Sequence, residues 1–153
     1  MSFKRLEADD FVVSSNAISA TAWTTNLPTL TAFFTSSTQV NGSSKTVFGD
    51  HEINFKAPYA RVTMTDAIKN FTGFDISGKT ENEIREAAKA MGIEVDSAMG
   101  KGKLIDEIFG EKCEANYIQP TFITDYPKEM SPLTKEHRSN PELTERFELI
   151  ICG

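Results

Sequence analysis

The sequence holds little that could build a metal or redox centre: 153 residues include two cysteines and two histidines. Cys113 and Cys152 lie far apart with no neighbours at ligand spacing, so zinc knuckles and ribbons are excluded. They read as free structural thiols of a reducing, cytoplasmic compartment. His51 and His137 each stand alone, which points to neither a zinc site nor a catalytic pair. No run of about 18 apolar residues occurs, so no membrane-spanning helix is encoded. A secretory leader is not expected either, because Asp9 and Asp10 fall where its apolar stretch should run after Lys4 and Arg5. The serines lack a G-x-S-x-G context. Gly100-Lys101-Gly102-Lys103 fails as a phosphate loop, since Ser97 takes the place of the first glycine and Leu104 that of the final Ser or Thr. It reads as a solvated helix start.

Charge is missing from one region altogether. Residues 11–44 contain no charged side chain and are crowded with Ser, Thr and Asn, whereas from Lys45 onward 33 of 109 residues are charged. This switch predicts two segments of different origin or environment, 1–40 and 41–153, with the boundary between Thr38 and Lys45. The first reads as short strands joined by polar turns, with Trp23, Phe33 and Phe34 expected to contribute little to the core of the second. Two readings stand for it. One is a strand region that needs a partner. The other is the start of a virion structural protein of tailed phages, which residues 3–15 and 33–40 resemble.

What remains is ordinary for a soluble domain, with 39% hydrophobic and 25% charged residues. The net charge of −6 argues against a free-standing nucleic-acid binder. Residues 52–55 alternate as a half-buried strand does, Ala57-Pro58 breaks it, and 59–63 can continue it. Thr63 with Asp66 predicts a helix carrying Met64, Ala67, Ile68 and Phe71 on one face and stopping at Gly73. Thr80 with Glu83 is a second capping box, followed by Ile84, Ala87, Ala88 and Met91 and stopped by Gly92. A third helix spans 101–113, apolar at Leu104, Ile105, Ile108 and Phe109, with Gly110 as an early stop. It should pack on the second through Ile84, Ala88, Met91, Leu104 and Ile108. Strands are predicted over 121–126 and 146–152, the latter with Phe147, Leu149 and Ile151 on one face. Helices grouped between strands predict an α+β fold with a largely antiparallel sheet.

Several collinear runs then acquire a common meaning. Residues 119–133, including Thr124-Asp125-Tyr126-Pro127-Lys128-Glu129-Met130-Ser131-Pro132-Leu133, resemble a segment of class II lysyl-tRNA synthetases nearly residue for residue. Lys135-Glu136-His137-Arg138 and Leu143-Thr144-Glu145-Arg146-Phe147-Glu148-Leu149 continue the likeness in order. Upstream, residues 53–59, 61–64 and 102–107 join it. The resemblance covers about three quarters of the chain.

It implies an interior piece of a catalytic domain that binds lysine, ATP and Mg2+ on an antiparallel sheet, forms lysyl-adenylate and esterifies tRNA. The family is homodimeric through motif 1. Motifs 1, 2 and 3, with the arginines of the last two, do not occur here, and the family's metal-binding glutamate is expected beyond Gly153. The piece alone is therefore expected to be inactive, with no catalytic residue and no metal ligand, and not to hold ATP or Mg2+ tightly. Glu129, Ser131, Arg146 and Glu148 are the residues expected to border the pocket. Arg146-x-Glu148 has the spacing of a motif 2 strand, but its flanks match a later strand, where the two share a face and pair with neighbours. The competing class is a structural or interaction module led by the N-terminal segment, or a chimeric fusion without evolved function.

Overall fold

A computed structural model describes residues 38–40 and 42–153. The expectations placed on Trp23, Phe33, Phe34 and the rest of the N-terminal segment lie outside the described residues. Among those described, the element order is β1 (Lys45–Phe48), β2 (His51–Asn54), β3 (Ala60–Thr63), α1 (Met64–Thr72), α2 (Glu81–Ala90), α3 (Lys101–Lys112), β4 (Thr121–Pro127) and β5 (Leu143–Ile150). Short 3-10 turns follow α3 at Glu114–Asn116 and β4 at Lys128–Met130. The architecture is α+β. No helix among the described residues is long and apolar enough to cross a membrane.

Helix starts follow their local chemistry. The Thr63 hydroxyl accepts from the Asp66 N–H at 3.0 Å to open α1, and Gly73 closes it at φ 75°, a left-handed turn that glycine adopts without Cβ strain. At α2 the Thr80 hydroxyl accepts from the Glu83 N–H and the Glu83 carboxylate accepts from the Thr80 N–H, so two otherwise orphaned donors are satisfied reciprocally. Ile84, Ala88, Leu104 and Ile108 are fully buried where α2 meets α3, and half-buried Met91 packs against them, so the five expected contacts form. Phe71 does not join the buried face of α1. It stays 45% exposed, its ring meeting the edge of Tyr117 at 5.4 Å; it shares the face of Met64 and Ile68 but stands in the last turn of α1.

Two expectations about α3 change. Gly110 does not stop the helix, which runs on to Lys112; an exposed glycine lowers propensity by only about 1 kcal/mol against alanine, and buried Ile108, Phe109 and Cys113 outweigh it. The Gly100–Lys103 start is solvated only in part: Gly100 and Lys103 are exposed, while Gly102 is buried against the 3-10 turn after β4.

The sheets also differ from the expected pattern. Strand β3 does not continue β2. The first two strands form a separate antiparallel hairpin, and β3 belongs to a three-stranded sheet of order β3-β4-β5. Pro58 has no N–H to offer a ladder, and the chain passes there from one sheet to the other. Strand β3 runs parallel to β4, while β4 and β5 are antiparallel. The three helices are the crossover that a parallel pair requires. Their apolar faces cover one side of the sheet at Ile123, Tyr126 and Ile150. Strand β5 starts earlier and ends earlier than expected, at Leu143 and Ile150, because Leu143 and Thr144 pair with Pro127 and Tyr126.

Candidate functional site

The most constrained polar cluster sits where β4 and β5 lose their regular register. Thr124 pairs with Phe147 but Tyr126 pairs with Thr144, so Asp125 alone faces Glu145 and Arg146. Asp125 takes φ 55°, a left-handed conformation that aspartate tolerates better than most residues. Such a bulge twists the ladder and re-aims the side chains beside it. Tyr126 consequently enters the core and is 2% exposed, while its hydroxyl donates to Glu148 Oε2 at 2.9 Å.

Arg146 lies over the Tyr126 ring, its guanidinium carbon 4.5 Å from the ring centre. Its Nη1 donates to the Ser131 hydroxyl at 2.7 Å and its Nη2 pairs with Glu148 Oε1. Among the described residues each Glu148 oxygen therefore has one donor, and two of the five guanidinium N–H groups are used. Burial, then the adjacent carboxylate of Glu148, pushes the Tyr126 phenol far above its ordinary range, so it remains a neutral donor.

Three of the four residues expected to border a pocket, Ser131, Arg146 and Glu148, thus meet around Tyr126. The fourth does not join them. Glu129 pairs with Lys101 at 2.8 Å and lines a separate cavity of about 100 Å³ with Thr65, Ile76 and Asn140. Burial raises the Glu129 carboxyl, but the Lys101 hydrogen bond and charge more than offset that, and the net direction is down. Sequence reasoning missed Tyr126 because its periodicity marks it only as a strand residue. The cue within reach was a tyrosine beside the Arg-x-Glu strand, which the fold had to bring together.

Arg146 also lines a cavity of about 350 Å³ with Arg61, Thr124, His137, Arg138 and Phe147. Glu145 is clamped there between Arg138 at 2.7 Å and Lys135 at 3.2 Å. His137 Nδ1 accepts from the Ser139 N–H, which leaves Nε2 towards Asp125 at 3.6 Å. A guanidinium such as that of Arg146, which keeps N–H donors not used among the described residues, suits carboxylate or phosphate oxygens. Among the described residues no group of three His, Cys, Asp or Glu is placed to hold a metal ion. Both cysteines are free thiols, and burial pushes Cys113 up to about 11, which makes it an inert core residue.

The chain belongs to the tRNA synthetases of class II: the family model describing those of D, K and N specificity matches residues 29–153. The relatives are lysine–tRNA ligases. One from Christiangramia forsetii is 75% identical over 114 residues, covering 74% of this chain and 20% of that protein. One from Porphyromonas gingivalis is 67% identical over 114 residues, again 74% and 20%, and one from Azobacteroides pseudotrichonymphae is 60% identical over 115 residues, 75% and 23%. The chain spans about a fifth of the length of the curated relatives it matches.

Proposed function

We propose that this chain is the interior part of a lysine–tRNA ligase catalytic domain, contributing the helical insertion and part of the sheet to an enzyme that activates lysine with ATP and transfers it to tRNA. ATP and Mg2+ are its cofactors, and lysine and tRNA its other substrates. A homodimer is the working assembly, and its motif 1 interface has no counterpart here. The observation that carries the reading is the 75% identity to a lysine–tRNA ligase across most of the chain. The cluster around Tyr126 gives that identity a physical focus, because Arg146 offers uncommitted N–H donors beside a fixed carboxylate. In this role Ser131, Arg146 and Glu148 border the substrate pocket, and Glu129 holds Lys101 at the base of α3. Lysine activation concentrates negative charge on the α-phosphate oxygens, and preorganised donors stabilise it.

A graft tests this. The matched 114-residue stretch of the Christiangramia forsetii ligase is replaced by that of this chain, and lysine-dependent pyrophosphate exchange into ATP is measured. Activity near that of the parent enzyme is expected. A correctly folded graft with exchange at the buffer level overturns the reading.

A further inference from the structure

The cluster holds one residue that none of the resemblances singles out. Tyr126 touches both members of the ion pair, and by two different means: its hydroxyl binds one oxygen of Glu148 at 2.9 Å and its ring face supports Arg146 at 4.5 Å. We infer that Tyr126 is a positioning residue, which locks Arg146 and Glu148 into one geometry so that the free N–H groups of Arg146 are aimed before an anionic substrate group arrives. This rests on the ligase reading of the same site.

The physical case is one of freedom removed in advance. Arginine and glutamate have long, rotamer-rich side chains, and ordering each on binding costs about 0.5–1.5 kcal/mol. Arg146 and Glu148 are 34% and 44% exposed, so solvent alone would leave them mobile. A partly exposed ion pair fixes little by itself. Tyr126 differs because its own position is determined: it is 2% exposed, and its carbonyl accepts from the buried Thr144 hydroxyl at 3.1 Å. The phenol binds Glu148 Oε2 and Arg146 meets Oε1 alone. The guanidinium thus does not bind the carboxylate as a two-pronged fork. Its Nη1 reaches Ser131, at 2.7 Å, and among the described residues three of its five N–H groups remain for a ligand.

Two substitutions separate the hydroxyl from the ring. In the 153-residue chain, Tyr126→Phe keeps the ring and removes the donor, so by nuclear magnetic resonance the Glu148 carboxyl carbon should shift while the ring-current shift on Arg146 persists. Tyr126→Leu should abolish that shift as well. In the Christiangramia forsetii graft, Tyr126→Phe should lower kcat by about tenfold or more with KM for lysine within about twofold, the pattern of a lost orientation. A Glu148 carboxyl resonance that does not move, or a kcat within about twofold of the parent graft, overturns the inference. A fall in melting temperature without either change marks Tyr126 as a packing residue and overturns it too. Should the unsubstituted graft be inactive, the ligase reading fails, and the resonance measurements still decide whether Tyr126 fixes the pair.

Discussion

At the residue scale, two glycines of α3 behave oppositely for reasons of space. A Cβ on Gly102 would sit 2.6 Å from the carbonyl carbon of Glu129 and 3.0 Å from the Met130 nitrogen. Both are backbone atoms, so no rotamer change relieves the clash, and the helix must move off the Lys128–Met130 turn. Gly102→Ala should destabilise the chain by about 1–3 kcal/mol, seen as a lower urea midpoint at unchanged slope. A Cβ on exposed Gly110 meets only Glu114 Oε2 at 3.9 Å, so Gly110→Ala should stabilise by about 0.5–1 kcal/mol. Propensity alone ranks these two glycines together, and only the turn packed on α3 tells them apart. The capping box of α2 was legible, because its partners are three residues apart. The Thr80 N–H, then Lys79 and the Thr80 hydroxyl, bind the Glu83 carboxylate and hold it down to about 2 from 4.5. A depressed carboxyl stabilises above its unfolded value and loses that contribution as pH falls. The melting-temperature gap between the parent chain and Glu83→Gln should thus be present near neutrality, shrink below pH 4.5, and close towards pH 2.

At the element scale, helices were readable and sheet partners were not. Caps and 3.6-residue periodicity are written within about a dozen residues, whereas strand direction depends on where the chain returns. Residues 60–63 give no sign that their ladder partner is β4, some 60 residues later and parallel. The hairpin of β1 and β2 is the extreme case, since two strands alone are marginal in water. Gln119 supplies part of its support: its Oε1 accepts from the Asn54 N–H at 3.0 Å and its Nε2 donates to the Glu52 carbonyl at 2.8 Å. The side chain thus mimics a third strand for two hydrogen bonds. Gln119→Ala should speed hydrogen exchange at the hairpin amides while exchange in α2 and α3 stays at the parent rate. Equal acceleration in helices and hairpin would show instead that Gln119 supports the whole fold.

At the scale of the whole molecule, the same residues that make the fold recognisable leave its chemistry dependent on others. The helices and β4 bury a continuous apolar core through Met64, Ile68, Leu104, Ile108 and Ile123, which supports folding of the described part as a unit. The candidate site is of another kind. Arg146 and Glu148 largely neutralise each other, and among the described residues no acidic or imidazole cluster is placed to hold a divalent cation. Attack of a carboxylate on ATP needs several preorganised charges at once, and removing even one such donor from an enzyme costs a factor of about 100 to 1,000 in rate. Groups that act as a unit do not lose activity additively, so a partial set gives far less than a proportional share. The purified 153-residue polypeptide should therefore show no lysine-dependent exchange of pyrophosphate into ATP above buffer. Clear exchange that Arg146→Ala abolishes would prove this wrong, and would give Arg146 the direct role in charge stabilisation that its strand spacing suggests.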